Sequence, residues 1–262
     1  MNPHTLVVHP HAAHMRLPGI SRVSPADTLR WLNAGAADLF HAWPLSLGYG
    51  AAFALMGYGL TQWAWSRPHL ALALTSGFLF VAPLLATVFY FLSHLREHHH
   101  RLPNPLVPLL SWRHNPASLG LFALMLVFVL SLWERVSAIL VGLFLKRSGL
   151  GGVAELLSPA MADHLDFVAA YLVFGGVLAL MVFSLTVVSL PMLLHRKVDF
   201  ATALTTSFLA TRHNLPAMLV WGLILAALVF LGFVTNFLAM VVVYPLLGHA
   251  SWHAYRDLVE RE

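Results

Sequence analysis

The chain contains no cysteine. Disulfides, thiolate metal sites, iron–sulfur clusters and cysteine nucleophiles are therefore excluded, while the compartment is left open. Charge is scarce too: 10% of the 262 residues are Asp, Glu, Lys or Arg, against about a quarter in soluble domains. The apolar segments lack a paired acid and base, so no acid–base machinery can be read inside them. No apolar leader with a small-residue cleavage site precedes residue 44, so the first 43 residues are expected to be retained and the first span to act as its own insertion signal.

What the chain has in quantity is apolar side chains, 59% of the total, with a mean hydropathy of +0.75. The solvent for such a sequence is the bilayer. Its net charge of +4 and pI near 9.8 reflect membrane topology, and no nucleic-acid partner is expected. Spans are predicted at about 45–65, 70–92, 117–133, 167–194, 217–233 and 236–251. The last two are split because one helix across both would be about 50 Å long against a core of about 30 Å. Without that split the count is five.

Basic residues set the orientation. Arg16, Arg22 and Arg30, then Arg96, Arg101 and Arg113, then Arg196, Lys197 and Arg212, and finally Arg256 and Arg261 all fall on one side. They are eleven of the fifteen cations, which predicts cytoplasmic N- and C-termini. Glu134 and Arg135 follow the third span beside Trp133 and are placed at the outer interface, with an intramembrane ion pair as the alternative.

A threefold pattern organises the chain. Ser24, Pro25 and Asp27 start an amphipathic helix whose apolar positions Leu29, Leu32, Ala36, Leu39 and Trp43 recur every three or four residues, with Arg30, Asn33, Asp38 and His41 opposite. A second copy begins at Asn104-Pro105 and runs through Leu106, Leu109 and Leu110. A third begins at Asp199 and runs through Phe200, Leu204 and Phe208. Arg-His-Asn closes the second and third, and Pro44, Pro116 or Pro216 turns the chain into the membrane. The even spans carry Pro83-Leu84-Leu85, Pro191-Met192-Leu193 and Pro245-Leu246-Leu247. Such kinks either line a cavity or permit packing, and Gly48, Gly50 and Ala54, with Ala73 and Gly77, offer small faces for helix contact.

The predicted fold is all-α: a polytopic membrane helical bundle of six spans in three parallel pseudo-repeats, each a cytoplasmic elbow helix plus a transmembrane hairpin. Residues 1–23 form a histidine-rich, flexible tail. Residues 24–259 form one membrane domain, with repeats at 24–95, 104–195 and 199–255.

Sixteen histidines are present. His249 and His253 stand one turn apart, as a two-histidine metal half-site requires, and His94 and His98 repeat the spacing, with His195 closing the fourth span. Such a nitrogen-rich set suits a divalent metal (zinc, copper, nickel or iron), or a haem between opposed helices. The alternative is that histidines at helix C-termini simply complement the dipole at a basic rim, in which case no cofactor is bound.

The segments Leu70-Ala71-Leu72-Ala73 to Ser76-Gly77-Phe78, Val188-Ser189-Leu190-Pro191-Met192-Leu193 and Pro245-Leu246-Leu247-Gly248-His249-Ala250-Ser251-Trp252-His253-Ala254-Tyr255-Arg256-Asp257-Leu258 resemble an uncharacterised bacterial integral-membrane family, a domain of unknown function. Some of its members carry a cytochrome c oxidase label. The resemblance runs from about Pro18 to Val259, and the closing Gly-His-Ala-Ser-Trp-His-Ala-Tyr motif is its most specific part. It implies a multi-pass protein of the bacterial inner membrane and no particular activity. A haem–copper catalytic subunit needs about twelve spans, so the label implies at most association with a respiratory complex.

Three functions are open at this point. The first is a non-catalytic accessory, assembly or scaffold subunit with the lipid bilayer and other membrane subunits as partners. The second is a carrier or channel for a metal or small solute, with Ser184, Thr186 and Ser189 as polar candidates. The third is a histidine-ligated metal or haem protein.

Overall fold

The computed structural model describes residues 17–64, 82–98, 104–145 and 159–260. These residues form α-helices joined by tight turns. We number them α1 (Asp27–His41), α2 (Trp43–Trp63), α3 (Thr87–Glu97), α4 (Pro116–Leu140), α5 (Leu165–Thr186), α6 (Ser189–His195), α7 (Phe200–His213), α8 (Leu215–Val234) and α9 (Met240–Leu258). Among the described residues three helical stretches are long and apolar enough to cross a membrane: Pro116–Leu145, Ala162–His195 and Leu215–Val234. The expected first and last spans fall on α2 and α9, which are helical but less apolar. Most of the expected second span and most of the tail lie outside the described residues.

Two boundaries differ from expectation. The third span does not end at Trp133, because α4 continues to Leu140 and a π turn carries it through Val141–Leu145. Apolar residues on both sides of Glu134 and Arg135 keep the helix going. The second elbow is a short 3-10 helix, Pro108–His114, and not an amphipathic α-helix. Pro108 explains this, since it lacks the N–H that would make the first α-helical bond, to the Asn104 carbonyl.

The first elbow is helical, but its faces are not as expected. Thr28, Trp31, Gly35, Asp38, Leu39 and Ala42 are buried, whereas Leu29 is 61% exposed and Phe40 74%. Asp38 therefore faces inward. The reason is close packing: a Cβ on Gly35 would lie 2.6 Å from the Ala250 backbone nitrogen, so α1 and α9 meet along a row of small residues. Likewise α7 buries Thr202, Ala203, Thr206, Ser207, Ala210 and Thr211 and leaves Phe208 about half exposed. Its N-terminus is capped as expected, by Asp199 accepting from the Thr202 amide at 2.9 Å.

Proline breaks are filled by neighbours. Gly50 of α2 packs against the Val241 carbonyl, the group that Pro245 leaves without its helical donor. A Cβ on Gly48, expected to offer a small face for helix contact, would meet nothing within 4 Å among the described residues; Ala73 and Gly77 lie outside them. Between α5 and α6 the Ser207 hydroxyl accepts the Val188 amide at 3.1 Å and donates to the Ser184 carbonyl at 2.8 Å. A side chain thus stands inside one turn of the helical hydrogen-bond ladder. The predicted break before α9 is real: Asn236 and Phe237 adopt φ of 48° and 68°, and the Phe237 amide closes on the Gly232 carbonyl at 2.7 Å.

Asparagines pin the elbows. Asn115 Nδ2 donates to the Val198 carbonyl at 2.8 Å, ahead of α7. Asn214 Nδ2 donates to the Ser21 carbonyl at 3.0 Å while its Oδ1 accepts from the Val23 amide at 2.9 Å, ahead of α1. The Tyr49 hydroxyl donates to the Pro105 carbonyl, ahead of the 3-10 helix. Ile20 and Val259 form an antiparallel bridge, flanked by Ser21 N–H to Leu258 at 3.0 Å and Glu260 N–H to Gly19 at 2.9 Å.

Candidate functional site

A carboxylate in the last turn of a helix opposes the dipole, so Asp38 needs strong partners, and it has them. Its Oδ2 accepts from Ser93 of α3 and from His253 Nε2 at 2.9 Å, and its Oδ1 accepts from Arg96. Burial raises the Asp38 pKa, but the hydrogen bonds from His253 and Ser93 and the charge on His253 outweigh it, so the net value lies below the usual 3.8.

His249 is fully buried and has a hydroxyl at each nitrogen: Ser93 Oγ is 2.8 Å from Nδ1 and Ser46 Oγ is 2.9 Å from Nε2. Donor counting orients this chain. The single Ser93 proton goes to the Asp38 carboxylate, which only accepts, so Ser93 Oγ accepts from His249 Nδ1–H. The neutral ring then accepts at Nε2 from Ser46. Four helices, α1, α2, α3 and α9, are joined by this set. Gly248 allows it, since a Cβ there would lie 2.6 Å from the Phe89 ring and hold α3 away.

The other predicted histidines form a second group. The His94 ring is 4.5 Å from His98 and 5.2 Å from His195, and both His94 and His195 lie 5.4 Å from Trp252. His195 Nδ1 and the Tyr255 hydroxyl are 2.8 Å apart. Glu97 accepts from Arg256 at 2.7 Å and from Trp252 Nε1 at 3.3 Å. Tyr90, Phe91, His94, Leu194, His195 and Trp252 line a cavity of about 10 Å³, room for roughly one water.

The five predicted histidines thus divide between two groups: His249 and His253 in the clamp, His94, His98 and His195 beside the cavity. Among the described residues no three metal-ligating side chains are grouped to hold an ion. Ser46, Ser93, Arg96, Asp38 and Glu97 were absent from the sequence-derived site. Ser93 and Arg96, one turn apart on α3, carry the signal that could have found them, because together they prepare one carboxylate site.

Large side chains such as Leu124 on α4, Val177 on α5 and Leu223 on α8 are 65%, 66% and 70% exposed, while serines, threonines and a carboxylate turn inward. Helices with lipid-facing apolar surfaces and polar seams define an integral membrane protein. Residues 71–195 match the family model described as "Predicted integral membrane protein (DUF2189)", a family of unknown function. The matched segment includes Val188–Leu193 of the motifs above and stops short of the 245–258 motif. No curated protein and no solved structure gives a match.

Proposed function

We propose that the protein is a non-catalytic accessory, assembly or scaffold subunit of a bacterial inner-membrane complex. In this reading it crosses the membrane six times as three pseudo-repeats, with both termini in the cytoplasm. The observation that carries the functional reading is the Asp38 clamp. Its carboxylate is shared by a guanidinium, an imidazole and a hydroxyl, and the buried His249 is held between two hydroxyls, so the set is read as a tie that holds four helices together. The bridge between Ile20 and Val259 supports termini on one side. The three lead-in ties, to Pro105, Val198 and Ser21, support a threefold arrangement.

The test is to isolate the full chain from native membranes in mild detergent and quantify co-purifying polypeptides by mass spectrometry. A stoichiometric membrane complex is the expected result; recovery of the chain alone would overturn it. A second reading, a histidine-bound metal or haem, is favoured by the closeness of His94, His98 and His195 beside the cavity. Metal analysis and a visible spectrum of the same preparation test it. The carrier reading has less support, because Ser184 and Ser189 donate to the Met181 and Leu185 carbonyls three and four residues earlier in the chain.

A further inference from the structure

The geometry points to two equivalent binding sites for the phosphate headgroup of an anionic phospholipid, one at each Arg-His-Asn elbow. The observation starts with unequal treatment of the cations. Arg30, Arg96 and Arg256 each pair with an acidic side chain, Asp257, Asp38 and Glu97 respectively. Arg22, Arg113, Lys197 and Arg212 are exposed and make no ion pair among the described residues.

These four are not scattered. The Asn214 pin brings Arg22 to the end of α7, where Arg22 Nε donates to His213 Nε2 at 3.2 Å, with Arg212 next in sequence. The Asn115 pin ties the Val198 carbonyl, next in sequence to Lys197, to the end of the 3-10 helix that carries Arg113 and His114. Each site therefore combines a cation from an elbow with a cation from a lead-in that an asparagine holds in place. The same tripeptide and the same device build both.

Each cluster sits above an apolar track. Leu215, Leu219 and Leu223 descend α8 from Arg212, and Leu121, Leu124 and Phe128 descend α4 from Arg113; all are exposed. Trp112, half exposed and 5.9 Å from the Arg113 guanidinium, marks the interface level. Two cations above an exposed apolar track match a phosphodiester with its acyl chains. The inference rests on the chain being a membrane protein and is independent of the accessory role.

The experiment is native mass spectrometry of the full chain released from nanodiscs of phosphatidylglycerol or of phosphatidylcholine. The wild type is expected to retain two phosphatidylglycerol molecules. R22Q/R212Q and R113Q/K197Q are each expected to retain one, and the fourfold variant none. R22K/R212K keeps the charge and is expected to retain both, which separates loss of binding from loss of fold. Arg135→Gln, away from both elbows, leaves retention unchanged. Equal retention of phosphatidylcholine, undiminished retention in the fourfold variant, or displacement of the lipid by inorganic phosphate alone would overturn the proposal.

Discussion

Asp38 and His253 meet at 2.9 Å across 215 residues of chain, a carboxylate at the end of the first helix against an imidazole near the end of the last. Asp38→Ala leaves Ser93, His253 and Arg96 without their shared acceptor. The expected cost is roughly 2–4 kcal/mol, below the full value for breaking a buried pair because Arg96 is 36% exposed. Thermal unfolding in detergent checks it, and a melting temperature unchanged from wild type would refute the clamp.

The same carboxylate sets an acid limit. Burial alone would raise its pKa, but hydrogen bonding by His253 and Ser93 brings it below 3.8. A group depressed in the folded state adds stability above its unfolded pKa and loses it as pH falls through the folded value. Wild-type melting temperature is therefore expected to drop below about pH 4 by more than that of Asp38→Asn. Parallel pH profiles would contradict this.

Gly35→Ala is expected to destabilise by about 1–3 kcal/mol, because its new methyl meets backbone atoms of Ala250 that cannot swing away. Gly48→Ala, with nothing within 4 Å of the added carbon among the described residues, is expected to be neutral or stabilising by roughly 0.4–1 kcal/mol. The two melting curves together distinguish packing from a general intolerance of alanine.

Ser207→Ala removes the hydroxyl standing between Val188 and Ser184. Leaving that buried amide and carbonyl without a partner costs about 1–3 kcal/mol. Hydrogen exchange at the Val188 amide should accelerate, and Ser207→Thr should restore protection. If the amide exchanges at the wild-type rate in Ser207→Ala, the inserted hydroxyl has no structural role.

Helix existence was legible from apolar periodicity and from prolines at the first turn, as in α4 and α8. So was the break before α9, from length alone. The direction in which α1 faces was not. Periodicity separates an apolar face from a polar one and puts Asp38 on the polar face, but the close seam with α9 belongs to the side that carries Gly35, Asp38 and Ala42. Asp38 was lost with that face. The histidine pairs were legible, since their spacing along α3 and α9 is visible, but their division between two groups was not. Their partners were not, because Ser46 and Ser93 are common residues whose role depends on three other helices.

The pairing of Ile20 with Val259 has a consequence for how the chain can be rewired. The first and last described residues lie side by side, and the lead-in to α1 is held by Asn214 in the manner that Asn115 holds the lead-in to α7. Joining Gly19 to Glu260 by a short linker and opening the backbone between His195 and Asp199 would give a circular permutant with the same contacts in a different order. For this architecture, where synthesis starts is a matter of insertion into the membrane and not of the final packing.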